Sequence, residues 1–158
     1  MDSMVEIFID RANNEILAAE SLKRLSEDKK AKEGFKLPER TTFYSSVISH
    51  SYYAIFYAAK AILLSKGVKT SPPEIHKKTF NAFKENLVET GVLDVNLLEI
   101  YKKLVIRADH LLEVFKDEKW KRGHFTYTTI PQANKEPSDD SLKNAKLFVS
   151  NIAKVLHK

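Results

Sequence analysis

Three basic side chains late in the chain have the spacing of a small phosphate-binding site. Arg107 and His110 are three residues apart and Lys103 lies one turn before Arg107, so a helix would place all three on one face. A histidine near its ordinary pKa of about 6.5 can act as acid or base, and a guanidinium stabilises negative charge in a transition state. Arg107 and His110 are therefore a candidate catalytic pair for metal-independent RNA cleavage through the 2′-hydroxyl. The alternative is that Arg107 pairs with a carboxylate or holds a dimer contact while His110 lies on solvated surface.

A second basic cluster contains aromatic side chains. Its members are Lys119, Trp120, Lys121 and Arg122, with Phe125 and Tyr127 after them. Cations interleaved with aromatic rings are typical of surfaces that bind nucleic acid. The alternative is a solvated loop whose aromatic rings cover the end of a helical bundle.

Another candidate nucleic-acid or nucleotide surface lies on one face of an apolar helix. His50, Tyr53, Tyr57 and Lys60 recur three or four residues apart, beside a separate apolar stripe. Tyr53 and Tyr57 could stack on bases while the cations hold phosphate. Packing of the tyrosines against a neighbouring helix or a second subunit is the alternative.

The composition predicts no cofactor and no metal site. The chain has no cysteine, and its five histidines show no pairing at the spacing of metal ligands on a helix. Lys and Arg total 26 against 21 Asp and Glu, and the net charge of +5 would help nucleic acid approach. The N-terminus lacks a secretory pattern and no stretch approaches the roughly 18 apolar residues of a membrane span. We therefore expect a cytoplasmic protein without membrane contact.

The elements that carry these residues are predicted to be helices. Hydrophobic residues make up 43% of the chain and charged residues 30%, with only 4 Gly and 5 Pro, which favours a single all-α domain over residues 1–158. Apolar residues recur every three or four positions in five segments. The expected bounds are an end near Glu27, a stop at Gly67, a third helix from Ser71 to Gly91, a fourth from Asp94 to about Lys116, and a last one capped by Ser138 or Asp139. The pattern predicts an antiparallel up-and-down bundle of about five helices.

Two segments and two polar residues complete this prediction. The charged segment 28–40 is expected to be a solvated loop, and about 116–137 an irregular connection with a short extended piece at 125–130. His76 opens the third helix, where the helix dipole favours a neutral imidazole. Asp109 lies about 200° around its helix from Arg107, so it is expected to bind polar groups on a neighbouring helix.

Four stretches of the sequence resemble a known family. They are SYYAIFYAAKAILLSKGVKT, HKKTFNAF, RADH and LKNAKLFVSNI, in this order. The chain is similar to the prokaryotic HEPN domain over about residues 5–152. The positions that match the family pattern are Tyr52, Tyr53, Ala54, Phe56, Ala58, Ala59, Gly67, His76, Arg107, Ala108 and Asp109.

The resemblance implies a helical bundle that pairs as a homodimer. Many such proteins are encoded beside a minimal nucleotidyltransferase, with which they form a toxin and an antitoxin. Many are also metal-independent endoribonucleases that use an arginine followed, after four to six residues, by a histidine. The resemblance thus implies a nucleotidyltransferase partner and binding of RNA or nucleotide.

The nuclease motif itself is missing at the matching place. Counted from Arg107, the histidine should occupy one of three positions, which are Leu112, Glu113 and Val114. The sequence therefore favours a dimeric HEPN subunit of a toxin–antitoxin pair that binds a partner and could also bind nucleotide or RNA. The alternative is an endoribonuclease toxin in which Arg107 and His110 converge across the dimer.

Overall fold

The computed structural model describes residues 1–120 and 135–158, and the side chains of residues 1–111 and 135–158. Within these ranges the chain forms six α-helices and no strand. They are α1 (Ser3–Glu27), α2 (Lys29–Gly34), α3 (Tyr44–Ser65), α4 (Ile75–Phe83), α5 (Val95–Trp120) and α6 (Lys135–Leu156), and a π-helical turn, Lys84–Val88, extends α4. The prediction of an all-α bundle is confirmed.

The helices α1 and α3 form an antiparallel pair. Lys60, near the end of α3, lies 5.0 Å from the ring centroid of Phe8, near the start of α1. Close to the opposite ends, the backbone N–H of Phe43 donates to Ser26 Oγ at 2.7 Å. Buried alanines on both helices, including Ala12 and Ala19, let the two backbones come close.

The most apolar helix, α3, lies at the centre of the bundle and packs against α1, α4, α5 and α6. Its most apolar window also has the length and mean hydropathy of a membrane span, although the sequence contains no such run of consecutive apolar residues. Of this window, 67% is buried inside the bundle. Contact with four helices explains why α3 is apolar on several faces. This central position also makes α3 the helix from which residues can reach most of the others.

The segment between α1 and α3 is more ordered than the predicted solvated loop. Asp28 ends α1 and begins α2, and its carboxylate accepts from the backbone N–H groups of Lys30 and Ala31. Lys32 is buried, and its Nζ donates to the carbonyl of Glu39 at 2.6 Å. The prediction of a loop throughout 28–40 is wrong because a single aspartate cap is enough to begin a short helix.

Three predicted boundaries also need correction. The third helix begins at Ile75, because a residue before a proline avoids helical geometry and Pro72 precedes Pro73. The fourth helix continues to Trp120. The last begins at Lys135, because Pro137 in the first turn has no helical hydrogen bond to lose. The irregular connection of about 116–137 is therefore helical at both ends, and the extended piece predicted at 125–130 lies outside the described residues.

Candidate functional site

A cleft of about 500 Å³ lies between α3, α4 and α5. Side chains from all three helices form its walls. They are Ser49, Tyr52, Tyr53, His76, Lys77, Phe80, Val105, Ala108 and Asp109. Most of this lining is aromatic or apolar, with a few polar groups, which is the usual character of a small-ligand pocket.

The start of α4 is fixed to α3 by hydrogen bonds outside the cleft. The hydroxyl groups of Thr70 and Thr79 bond at 2.7 Å, which ties the loop after α3 to the first turns of α4. Lys60 Nζ, from α3, donates to the carbonyl of Thr70 at 3.4 Å. These contacts set the position of His76 relative to α3.

Three aromatic rings of α3 lie close to His76, which is exposed to solvent. Its ring centroid lies 4.4 Å from that of Phe56, 5.7 Å from that of Tyr52 and 6.0 Å from that of Tyr53. Its Nδ1 is 2.8 Å from the hydroxyl oxygen of Tyr52. Burial, followed by the charge of Lys60, lowers the pKa of His76 below its usual range.

Tyr52 and His76 share a hydrogen bond whose direction follows the tautomer of the imidazole. Burial, with contributions from Tyr53 and Asp109, raises the pKa of Tyr52 well above its usual range, so Tyr52 keeps its proton. When the Tyr52 hydroxyl donates, the neutral His76 accepts the hydrogen bond at Nδ1 and carries its own hydrogen on Nε2. The cleft therefore contains an imidazole whose lowered pKa favours the neutral form and whose Nδ1 is bonded to Tyr52.

Lowering the pH from about 8 to about 5 should destabilise the protein through His76. Its folded pKa is below the unfolded value of about 6.5, so its contribution to stability is present above pH 6.5 and is lost as the pH falls through the folded pKa. Because His76 is exposed to solvent, the loss in Tm should be small, no more than about 1–2 °C. Thermal unfolding of wild type and His76→Gln across this range measures the effect. Two Tm curves that stay parallel would contradict it.

Arg107 lies on α5 but points toward α6. Its guanidinium donates to Asp140 Oδ2 at 2.7 Å, to Ser141 Oγ at 3.0 Å and to the carbonyl of Pro137 at 3.4 Å. Lys103 Nζ lies 2.7 Å from the same Asp140 oxygen. The hydrogen bond from Lys103, and then that from Arg107, hold the pKa of Asp140 below its usual range.

The three basic residues predicted to share one site, Lys103, Arg107 and His110, therefore have different surroundings. Lys103 and Arg107 share the carboxylate of Asp140, which is the pairing considered as the alternative for Arg107. His110 is exposed on α5. A phosphate at this place would compete with an existing carboxylate for both cations.

The residues of the predicted aromatic and basic face of α3 also have different surroundings: three of them pack against α1 and the fourth lines the cleft. Tyr57 stacks on Phe8 of α1 with ring centroids 6.3 Å apart, and Lys60 lies over the same Phe8 ring. The Nδ1 of His50 forms a hydrogen bond with the carboxylate of Glu15 on α1. Tyr53, which is 40% exposed, lines the cleft instead. Of the two tyrosines proposed to stack on bases, Tyr53 is the one placed at a cavity.

The remaining candidates lie at or beyond the end of α5. Lys119 and Trp120 belong to its last turn, and Lys121 and Arg122 lie outside the described residues. Among the described side chains, those of residues 1–111 and 135–158, no cluster of three His, Asp or Glu has the geometry of a metal site.

Sequence reasoning missed the pairing of Tyr52 with His76. Tyr52 belongs to the apolar stripe of α3, where a tyrosine is expected to pack, and His76 had no partner at helical spacing. The available signal was chemical: a buried tyrosine hydroxyl needs a hydrogen-bond partner, and a histidine opening the next helix is a suitable one.

The family model described as "HEPN domain" matches residues 5–150. "Putative toxin MJ0605" of Methanocaldococcus jannaschii is 29% identical over 113 residues, which cover 72% of this chain and 71% of that protein. "Putative toxin MJ0142" of the same organism is 37% identical over 57 residues, or 36% of this chain and 37% of that protein. A "UPF0332 protein" of Thermotoga maritima is 27% identical over 111 residues, or 70% and 71% of the two chains. No solved structure matches the chain significantly.

Proposed function

We propose, because this chain belongs to the HEPN domain family, that it is a HEPN subunit of toxin type that binds a nucleotide or a single RNA base in the cleft between α3, α4 and α5. The observation that carries this proposal is the cleft of about 500 Å³ in which an exposed tyrosine ring, Tyr53, lies beside the neutral His76. An aromatic ring at a cavity with few polar groups suits the flat face of a base. The basic net charge of +5 supports the approach of a polyanion.

The toxin role rests on the relatives. Two proteins of M. jannaschii that are similar to this chain carry the word toxin in their names. We propose that the chain acts as a homodimer and binds a minimal nucleotidyltransferase as its antitoxin partner. Light scattering of the purified chain, alone and mixed with a minimal nucleotidyltransferase, tests both steps.

Replacement of Tyr53 by alanine should weaken RNA binding about tenfold, because a stacked base contributes about 1–3 kcal/mol. We would measure fluorescence anisotropy of a labelled single-stranded RNA in excess EDTA. Tyr57→Ala is the matched control, since Tyr57 packs against α1 and is expected to leave RNA affinity unchanged. Equal losses in the two variants, or none in Tyr53→Ala, would contradict binding in the cleft.

The second candidate function is metal-independent RNA cleavage by Arg107 and His110. The exposure of His110 and the names of the two relatives support it. In the same EDTA buffer, wild type, Arg107→Ala and His110→Ala are compared on a gel. RNA bound but left intact supports a binding subunit, whereas cleavage that both variants abolish supports the nuclease.

A further inference from the structure

Two hydrogen-bonding groups of opposite kind line the cleft from different helices. His76, on α4, shares a hydrogen bond with the Tyr52 hydroxyl through Nδ1, and with the hydroxyl as donor its Nε2 carries the hydrogen and donates. Asp109, on α5, lines the same cavity, and its charge contributes to the raised pKa of Tyr52. As a carboxylate, Asp109 can only accept hydrogen bonds.

The charges of these groups favour one part of a nucleotide in the cleft over another. The carboxylate of Asp109 repels an anion, and the neutral His76 supplies no positive charge to compensate. The cation of the lining, Lys77, is exposed. An uncharged base is therefore favoured between the walls, and its phosphate is favoured outside them.

We infer that the cleft selects bases that carry an exocyclic amino group beside a ring nitrogen acceptor, as adenine and cytosine do, over their carbonyl counterparts hypoxanthine and uracil. This inference rests on the proposed binding function. The amino group donates to Asp109, and the ring nitrogen accepts from His76 Nε2. A carbonyl oxygen in place of the amino group would face the carboxylate with no hydrogen between them, which leaves both acceptors unpaired.

The face of the base has a partner as well. Tyr53 is 40% exposed, and its ring lies at 68° to that of His76, so the two rings are not stacked face to face. Stacking on an aromatic ring is tolerant of base identity, because every base has a π-face. The selectivity therefore comes from Asp109 and His76, and the general affinity from Tyr53.

The test compares matched nucleotides that differ at the amino position. Adenosine against inosine monophosphate, and cytidine against uridine monophosphate, are titrated into the full chain at about pH 7.5 by calorimetry. We expect the amino member of each pair to bind about tenfold more tightly, or roughly 1.4 kcal/mol. In Asp109→Asn, whose amide both donates and accepts, the preference should fall to within about twofold.

Glu99→Gln is the control, because it removes an exposed carboxylate from the same helix outside the cleft. It is expected to keep the tenfold preference. Equal binding of the amino and carbonyl members to wild type would overturn the inference while leaving the proposed nucleotide binding intact. Binding of none of the four nucleotides, together with unchanged RNA affinity in Tyr53→Ala, would overturn both.

Discussion

Replacing Phe148 with alanine is expected to lower the free energy of unfolding by about 3–5 kcal/mol. Phe148 is fully buried on α6, and its ring centroid lies 5.4 Å from that of Phe83 and 5.9 Å from that of Tyr101. One side chain thus joins α4, α5 and α6, and three helices cannot easily close over the space that the ring would leave. Urea denaturation followed by circular dichroism gives the change, provided that the m-value is unaltered.

The neighbouring residue provides a matched control for this substitution. Leu147 is 53% exposed on the same helix, so Leu147→Ala is expected to change the free energy of unfolding by less than about 0.5 kcal/mol. Similar losses in the two variants would show that Phe148 does not lie in the core.

The substitution Phe148→Ala should also weaken nucleotide binding in the cleft. The ring centroid of Tyr101 lies 5.9 Å from that of Phe148 and 5.0 Å from that of Phe80, and Phe80 lines the cleft. Loss of the Phe148 ring therefore loosens a support of the cleft wall. We expect weaker nucleotide affinity in Phe148→Ala even under conditions where the variant is fully folded.

The helices of this protein can be predicted because their information is local. Residues such as Ala12, Ile55 and Ile152 recur on stripes with helical spacing, and each of them is buried. Periodic burial requires only that a helix has one inner face, so it survives without knowledge of the neighbouring helices. The bounds were less accurate where prolines and caps decide them, as at Pro137 and Asp28.

The cleft could not be predicted in the same way, because its residues come from three helices. Tyr52, His76 and Asp109 meet only once the crossing of α3, α4 and α5 is known. Spacing along one helix predicted which residues share a face with Arg107. It could not reveal that Asp140, which lies on α6 and is 33 residues further along the chain, would pair with Arg107 on α5.

Arg107→Ala should lower the free energy of unfolding by about 1–2 kcal/mol whether or not the protein cleaves RNA. The substitution removes hydrogen bonds from α5 to Asp140, Ser141 and the carbonyl of Pro137 on α6. The loss stays moderate because Lys103 remains paired with Asp140. Urea denaturation measures it, and Lys143→Ala, an exposed lysine of α6, serves as a neutral control.

A double-mutant cycle separates this structural role from a catalytic one. Arg107→Ala, Asp140→Asn and the double variant should show a coupling energy of about 1 kcal/mol, because the two side chains interact directly. A coupling energy near zero would contradict the ion pair. The structural and the catalytic role of Arg107 also predict different effects of these variants on RNA binding and cleavage. If Arg107 stabilises α6 alone, Asp140→Asn and Arg107→Ala affect RNA alike. If Arg107 acts on phosphate, Asp140→Asn frees its guanidinium and preserves or raises the activity that Arg107→Ala removes.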